Sequence, residues 1–258
     1  MNWYPQLLSG ASVQLPMSRK RSWRGIENVL ESGEAIYTPD LHGGLVTWDL
    51  EYQALTDAEV TILTAFFASV RGKFGTFGFA DPLANLLAGS EDLGRSEWSA
   101  GTMGVVGGAT GPTGDTVAWI VSNSAAGPQE LQQTVSVPGG LLGCFSFWAR
   151  ALAPTIITAR RDTNVTNLLI GPSWRRVWIS GAGDPSLAVT TVALGIPAGG
   201  SIQVFGLQLE MQPYPGKYIR TSATAGSYLN TSFTQDELAV VQTGPGLSSC
   251  KVKLTSRI

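Results

Sequence analysis

The sequence predicts an all-β protein of two β-sandwich-type domains, the first carrying one α-helix and the second, a jelly roll, inserted into it. Three observations carry that expectation. The 258 residues include 31 Gly and 14 Pro, and only 14% are charged, a composition that disfavours long solvated helices and coiled coils. One stretch alone, about residues 57–70, has the start, period and stop of a helix. Between residues 117 and 210, strand-length runs alternate with Gly, Pro, Asn and Asp clusters, the pattern of a sandwich or jelly roll. A chain of this length can bury a core, and two domains suit it better than one.

The elements follow in chain order. Arg19 to Trp23 reads as a basic edge strand, where positive charge discourages unwanted pairing. Leu45 to Tyr52 alternates and leads into the helix. Thr56 and Glu59 form a capping box, and Asp57 adds charge at the positive end of the dipole. Val60, Leu63, Phe67 and Val70 repeat at helical spacing, Ile62 and Phe66 widen the stripe, and Gly72 supplies a left-handed stop. Phe74, Phe77 and Phe79, interleaved with Gly75 and Gly78, give a short strand closed by Asp81-Pro82, since proline cannot donate to a ladder.

Beyond Leu87 the texture changes. Strands are expected at Val117–Ser122, Leu131–Val137, Cys144–Ala149, Thr155–Arg160, Arg176–Ser180, Ala188–Leu194 and Ser201–Glu210. A Ser/Thr/Ala/Gly linker follows Thr221. From Tyr228 onward, Glu237–Val241 and Cys250–Leu254 are strand-like, but the segment is too short to fold alone. It needs a partner sheet, and the residues before 87 offer one. The expected domains are therefore 1–86 plus 227–258, and an inserted block of 87–226, with insertion made easy where sandwich termini lie close together.

Composition excludes several functions. With 17 basic and 19 acidic side chains the net charge is −2, which gives no field for gathering nucleic acid. His42 is the single histidine, so any His-dependent triad or multi-histidine metal site would depend on that position. Flanked by Asp40 and Gly43-Gly44, it reads as a turn residue. Cys144 and Cys250 stand far apart in no Cys-x-x-Cys pattern and read as free thiols. Met1 to Pro5 lacks the basic and apolar regions of a signal peptide, and no apolar run approaches the roughly 18 residues of a membrane span. A soluble protein made in a cytoplasm is expected.

The Gly-rich stretch 101–114 lacks the Gly-Lys-Ser/Thr ending of a phosphate loop. The middle block holds Glu91, Asp92, Glu97, Asp115, Glu130, Asp162, Asp184 and Glu210. A glycosidase needs two carboxylates roughly 5 to 9.5 Å apart, and no motif pairs any two of these. No catalytic residue is assigned, and a non-enzyme is expected.

Two resemblances sharpen the reading. Trp48-Asp49-Leu50-Glu51-Tyr52, the capped helix with Phe66-Phe67, Arg71-Gly72-Lys73-Phe74 and Phe77 to Pro82, closed by Phe233 to Leu238, Gly244-Pro245-Gly246 and a final strand, resemble the distal tail proteins of long-tailed phages and phage-derived gene transfer particles. Asn85-Leu86-Leu87 with Ser90-Glu91-Asp92 and Trp98 resembles the opening strand of carbohydrate-binding-module-like jelly rolls. Trp174-Arg175-Arg176 is similar to their Trp-x-Arg strand. Phe205 to Glu210, with Pro213 and Tyr218 to Thr221, is similar to the closing strand of such domains in phage tail proteins.

These resemblances imply a structural subunit of a tail tip, assembled in the bacterial host cytoplasm. It would form a hexameric ring between the tail tube protein and the tail-tip hub protein, with an outward lectin-like domain that contacts host-surface polysaccharide or decorates the tip. The alternatives are a minor tail or receptor-binding protein acting as an adhesin, and a carbohydrate-active enzyme.

Aromatic faces stack on sugars, and arginines bond hydroxyls or acidic groups. Of Trp98, Trp119, Trp148, Trp174 and Trp178, the alternating strands around Trp119, Trp148 and Trp178 suggest core positions. The glycan-binding candidates are Trp148, Arg150, Arg160, Arg161 and Trp174, with the polar Arg160–Asn164 cluster near a turn as the better surface patch. Jelly rolls of this kind often hold a structural calcium, for which Glu91, Asp92 and Glu210 are the candidates here. No other cofactor is expected.

Overall fold

A computed structural model describes residues 1–222 and 226–258. Along the chain run β1 (Met17–Val29), β2 (Ala35–Thr56), α1 (Asp57–Ser69), β3 (Phe77–Ala80), β4 (Gly104–Ala109), β5 (Ala118–Ser122), β6 (Gln129–Val135), β7 (Leu142–Arg150), β8 (Thr155–Arg161), β9 (Asn164–Ile170), β10 (Arg175–Ala182), β11 (Thr190–Ile196), β12 (Ser201–Glu210), β13 (Ser227–Phe233), β14 (Val240–Gly244) and β15 (Leu247–Arg257). Among the described residues the chain is all-β with one α-helix, as its composition predicts. It divides into two compact units. One comprises Met1–Leu8, Ser12–Phe79 and Tyr228–Ile258, the other Ser9–Ala11 and Ala80–Ser227.

Residues 80–86 fall in the second unit rather than the first. The cause is Asn85, whose fully buried amide bonds the backbone at Leu87, Leu207, Leu209 and Ile219. The linker expected after Thr221 lies partly outside the described residues.

In the first unit the sheet order is β1-β2-β15-β13-β3, with β14 on β15. Alternation along β2 turns Val46, Trp48, Leu50 and Tyr52 into the core, where they meet Val252 and Leu254 of β15, Phe233 of β13 and Phe77 and Phe79 of β3. The Trp48 ring lies 4.9 Å from Phe79 and 4.8 Å from Tyr228. Helix α1 covers this core with Leu63, Phe66 and Phe67.

The capping box is complete. Glu59 N–H donates to Thr56 Oγ1 (3.4 Å) and Thr56 N–H to Glu59 Oε2 (3.0 Å). Arg71 and Gly72 both adopt left-handed backbone after the helix, with φ of 57° and 58°. Gly78 is required where it stands, because a Cβ there would fall 2.5 Å from the Trp3 ring. The N-terminal segment pairs with β3 at that point, Tyr4 N–H donating to Gly78 O.

In the second unit a five-stranded sheet, β10-β7-β12-β5-β4, and a four-stranded sheet, β6-β11-β8-β9, form a jelly-roll sandwich. Its core includes Phe145 and Phe147 of β7, Ile202 and Leu209 of β12, and Leu131, Ile157 and Leu194 of the other sheet. The seven expected strands of this block all form, with ends shifted by a residue or two. β4 and β9 were not anticipated: GVVGGA is too glycine-rich to read as a strand, and NVTNLLI opens on turn-forming Asn164. A two-residue turn at Asp162-Thr163 joins β8 to β9, and Asp162 has a φ of 52°. In the tail, strand β14 holds only Val240 and Val241 of the expected 237–241 segment.

Candidate functional site

The site is built by strand alternation. Because Phe145, Phe147 and Ala149 point into the sandwich, Ser146, Trp148 and Arg150 lie on the outer face of the five-stranded sheet. Register places Gln203 and Phe205 of β12 opposite Arg150 and Trp148. On the other side Arg176 and Trp178 of β10 lie opposite Trp148 and Ser146.

Arg150 Nε donates to Gln203 Oε1 (2.8 Å), and its guanidinium sits 5.1 Å from the centre of the Trp174 ring. Arg176 lies 4.6 Å over the Trp148 ring, with Nη1 donating to Gly216 O (2.6 Å) and Nη2 to Ser146 Oγ (3.0 Å). Trp148 also packs against Phe205 and Tyr218. The Trp174 indole N–H and Arg176 Nε are buried with no hydrogen-bond partner among the described residues, an arrangement that native interiors seldom leave.

A strap of backbone, residues 212–219, closes the lower half of this face. Buried outer-face polar groups of β12 hold it there: Gln208 Nε2 donates to Lys217 O (3.2 Å), Ile219 N–H donates to Gln208 Oε1 (2.7 Å), and Gly216 N–H donates to Glu210 Oε2 (3.0 Å). Burial lifts the Glu210 carboxyl above its ordinary value despite these donors. The upper half stays open. Beside Gln203 lies a cavity of about 330 Å³ lined by Ile120, Leu152, Thr155, Gly200, Ser201 and Gln203. It offers an apolar floor, two hydroxyls and an amide, with the Arg150 guanidinium bonded to that same amide.

The sequence-derived candidates separate in space. Trp148, Arg150 and Trp174 come together on this face, yet Arg176 covers Trp148 and Arg150 covers Trp174, so neither indole presents a bare stacking platform. Arg160 lies on the other sheet, paired with Glu130 (2.5 Å). Arg161 is no surface group. It is 1% exposed and donates to Gly139 O, Leu141 O and Gly181 O, clamping three backbone carbonyls; its inward turn follows from alternation with Ile157 and Ala159. Trp178, expected in the core, is 49% exposed. It sits on edge strand β10, which has a neighbouring strand on one side only, a placement that sequence alternation alone does not reveal. Trp98 and Trp119 are structural, their indoles donating to Gly89 O and Glu91 O.

The calcium candidates do not share a site. Among the described residues no three His, Cys, Asp or Glu side chains converge. Glu91 pairs with Arg220, Asp92 accepts from Gly94 N–H, and Glu210 accepts from Gly216 and Gln212. Their oxygens face N–H donors, which do not fit a cation. Glu97, Asp115, Glu130 and Asp184 are engaged by Arg95, Thr113, Arg160 and Ser186, and Asp162 accepts from Thr191 N–H through Oδ1 while its Oδ2 is buried without a hydrogen-bond partner among the described residues.

His42, expected in a turn, lies within β2 where the pairing with β1 slips, its N–H donating to Asp40 Oδ1, and the Arg24 hydrogen bond holds the Asp40 carboxyl below its ordinary value. Both cysteines are free and buried. A larger cavity of about 790 Å³ lies in the first unit, along Glu51, Gln53, Glu237, Val241, Ser249 and Lys251. None of the sequence-derived candidates lines it.

No protein-family model and no curated protein matches the chain. Among solved structures, the enzymatically active domain of tailspike protein 4 from bacteriophage CBA120 is 17% identical with a TM-score of 0.38, covering 51% of this chain and 22% of that one. This chain thus spans about a fifth of that structure's length. The carbohydrate-binding module TmCBM61, solved with β-1,4-galactotriose, is 17% identical with a TM-score of 0.36, covering 48% of this chain and 97% of that one. The CBM22-1 xylan-binding domain of Paenibacillus barcinonensis Xyn10C is 12% identical with a TM-score of 0.38, covering 51% of this chain and 95% of that one.

Proposed function

We propose that this chain is a non-enzymatic glycan-binding component of a phage or phage-like tail tip. In this reading the jelly-roll unit takes host-surface polysaccharide, and the other unit serves as a distal-tail-like ring subunit between tail tube and hub. The observation that carries the glycan reading is the 330 Å³ cavity at the upper half of the five-stranded sheet, lined by Gln203, whose amide bonds Arg150, itself over the Trp174 ring. A pocket with an apolar floor and a few convergent polar groups is the usual form of a small-ligand site. Ile120 would take the C–H face of a sugar ring. Gln203, Ser201, Thr155 and Arg150 would bond its hydroxyls, and the exposed Trp178 offers a further ring along the same sheet face. No calcium is required.

The test is glycan-array binding with the full chain, followed by titration of Arg150→Ala, Gln203→Ala and Trp174→Ala against the best ligand. Each substitution is expected to weaken binding about tenfold or more, or roughly 1.4 kcal/mol. Arg160→Ala, on the opposite sheet, should leave affinity unchanged. Unaltered binding in the first three variants, or no binding to any surface polysaccharide, would refute the assignment. The ring reading is tested separately, by imaging the protein with its tail tube and hub.

A further inference from the structure

The first unit carries an arm whose surface has no explanation in a single copy. β15 accompanies β2 only as far as Arg257 opposite Leu45, with Ile258 N–H closing on Gly44 O (3.1 Å). Past that point β1 and β2 have only each other among the described residues. After a bulge at Trp23/Gly25, secured by the Arg24–Asp40 ion pair, they run from Gly25 opposite Pro39 to Val29 opposite Ala35. The 30–34 turn is closed by two bonds, Leu30 N–H donating to Glu34 O and Gly33 N–H donating to Leu30 O.

Register puts Val29 and Tyr37 on one face of this ribbon and Ile26 and Ile36 on the other. Trp23, Val29 and Tyr37 are 68%, 66% and 71% exposed, and Ile26, Leu30 and Ile36 are close to half exposed. A lone two-stranded ribbon is marginally stable in water, and this one shows apolar groups on both faces. Patches of that kind mark contact surfaces.

Charge identifies the partner. The tip, residues 25–38, holds Glu27, Glu31 and Glu34 and no cation, whereas the root of β1 holds Arg19, Lys20 and Arg21. The two ends of one arm are opposite in sign, but an extended strand holds Arg21 and Glu27 roughly 20 Å apart, so a tip cannot reach its own root. An anionic surface would attract the root and repel the tip. A second copy satisfies both. Its contact would involve residues 23–43 and the root, in the range of roughly 20 to 30 residues a side for a stable interface.

We propose that the arm is a self-association element, its acidic and apolar tip packing on the basic root of the arm of a second copy. This locates the contact that the ring reading requires and rests on that reading for its repetition around a ring. Tip-to-root contacts repeated head to tail close a ring, and contacts exchanged within a pair give a dimer.

The test is sedimentation velocity of the full chain from ~1 to ~100 µM, at low salt and again at ~0.5 M salt, where exposed charges are screened. One variant reverses the tip (Glu27→Lys, Glu31→Lys, Glu34→Lys) and another the root (Lys20→Glu, Arg21→Glu). The parent should associate, more weakly at high salt. Each variant alone should dissociate at least ~10-fold more readily. Mixing the two should restore association, because both contacts then join opposite charges. If both variants assemble like the parent, or the mixture recovers nothing, the tip-to-root contact is wrong while the ring reading stands. A parent that is monomeric throughout would overturn this self-association itself.

Discussion

Asn85 offers the sharpest test of how the jelly-roll unit is held together. Its Nδ2 donates to Leu207 O (2.9 Å) and Ile219 O (3.2 Å), and its Oδ1 accepts from Leu87 N–H (3.0 Å) and Leu209 N–H (3.1 Å). One side chain thereby joins the entry to the unit, its longest strand and its closing strap. Asn85→Leu, of similar volume, removes all four bonds and leaves four backbone groups to find other partners. At a net value of roughly 1 kcal/mol per bond the loss is about 4 kcal/mol, and more where the groups stay dry. For a unit of this size that corresponds to a fall of about 8–16 °C in the melting of the second unit.

Calorimetry of the full chain would measure it, with hydrogen exchange reporting the Leu87 and Leu209 amides. Asn85→Asp adds a sign. Its carboxylate would face two carbonyls, so the native state would hold a proton more tightly than the unfolded chain. The variant should therefore lose stability as pH rises above the usual carboxylate range. A change under about 1 kcal/mol in Asn85→Leu, with both amides still protected, would refute the claim that this side chain ties the three segments together.

Three further outcomes are expected. Arg161→Ala should destabilise the second unit by about 3 kcal/mol or more, since one buried and two part-buried carbonyls lose a charged donor, while glycan affinity measured below the transition stays at the parental value. Burial raises the Glu210 carboxyl in the native state, so the folded protein keeps its proton longer than the unfolded chain; stability should decline as pH rises from the usual 4.5 through the raised value, and Glu210→Gln should flatten that stretch in urea titrations. Burial pushes the Cys144 and Cys250 thiols up to about 12 and about 11, so a thiol-specific chromophore should label neither cysteine in native protein at neutral pH and both in denaturant.

Local signals were legible wherever the chemistry is local. The Thr56–Glu59 box fixed the start of α1 within its own turn, and alternation in Leu45–Tyr52 marked a main core strand; Ser201–Glu210 read as a strand, but a bulge between Phe205 and Gln208 shifts which of its residues face inward. The limits of β1 and β2 were not legible, because Gly25, Pro39 and Gly43-Gly44 read as breaks. Pairing between the two strands carries them across those residues, and the bulge absorbs the mismatch.

The candidate site shows the same division. Sequence chemistry singled out Trp148, Arg150 and Trp174, and register brought them together. It could not separate Arg160 from Arg161, adjacent residues on opposite faces of β8, nor find Gln203, which matters only because β12 lies beside β7. By itself the sequence determined composition, the capped helix and most strands, since these depend on residues near one another in the chain. Tertiary structure alone decided which arginine is a clamp and which tryptophan is bare. Burial and pairing depend on neighbours far away in sequence, and strand register, set by the whole sheet, determines which those neighbours are.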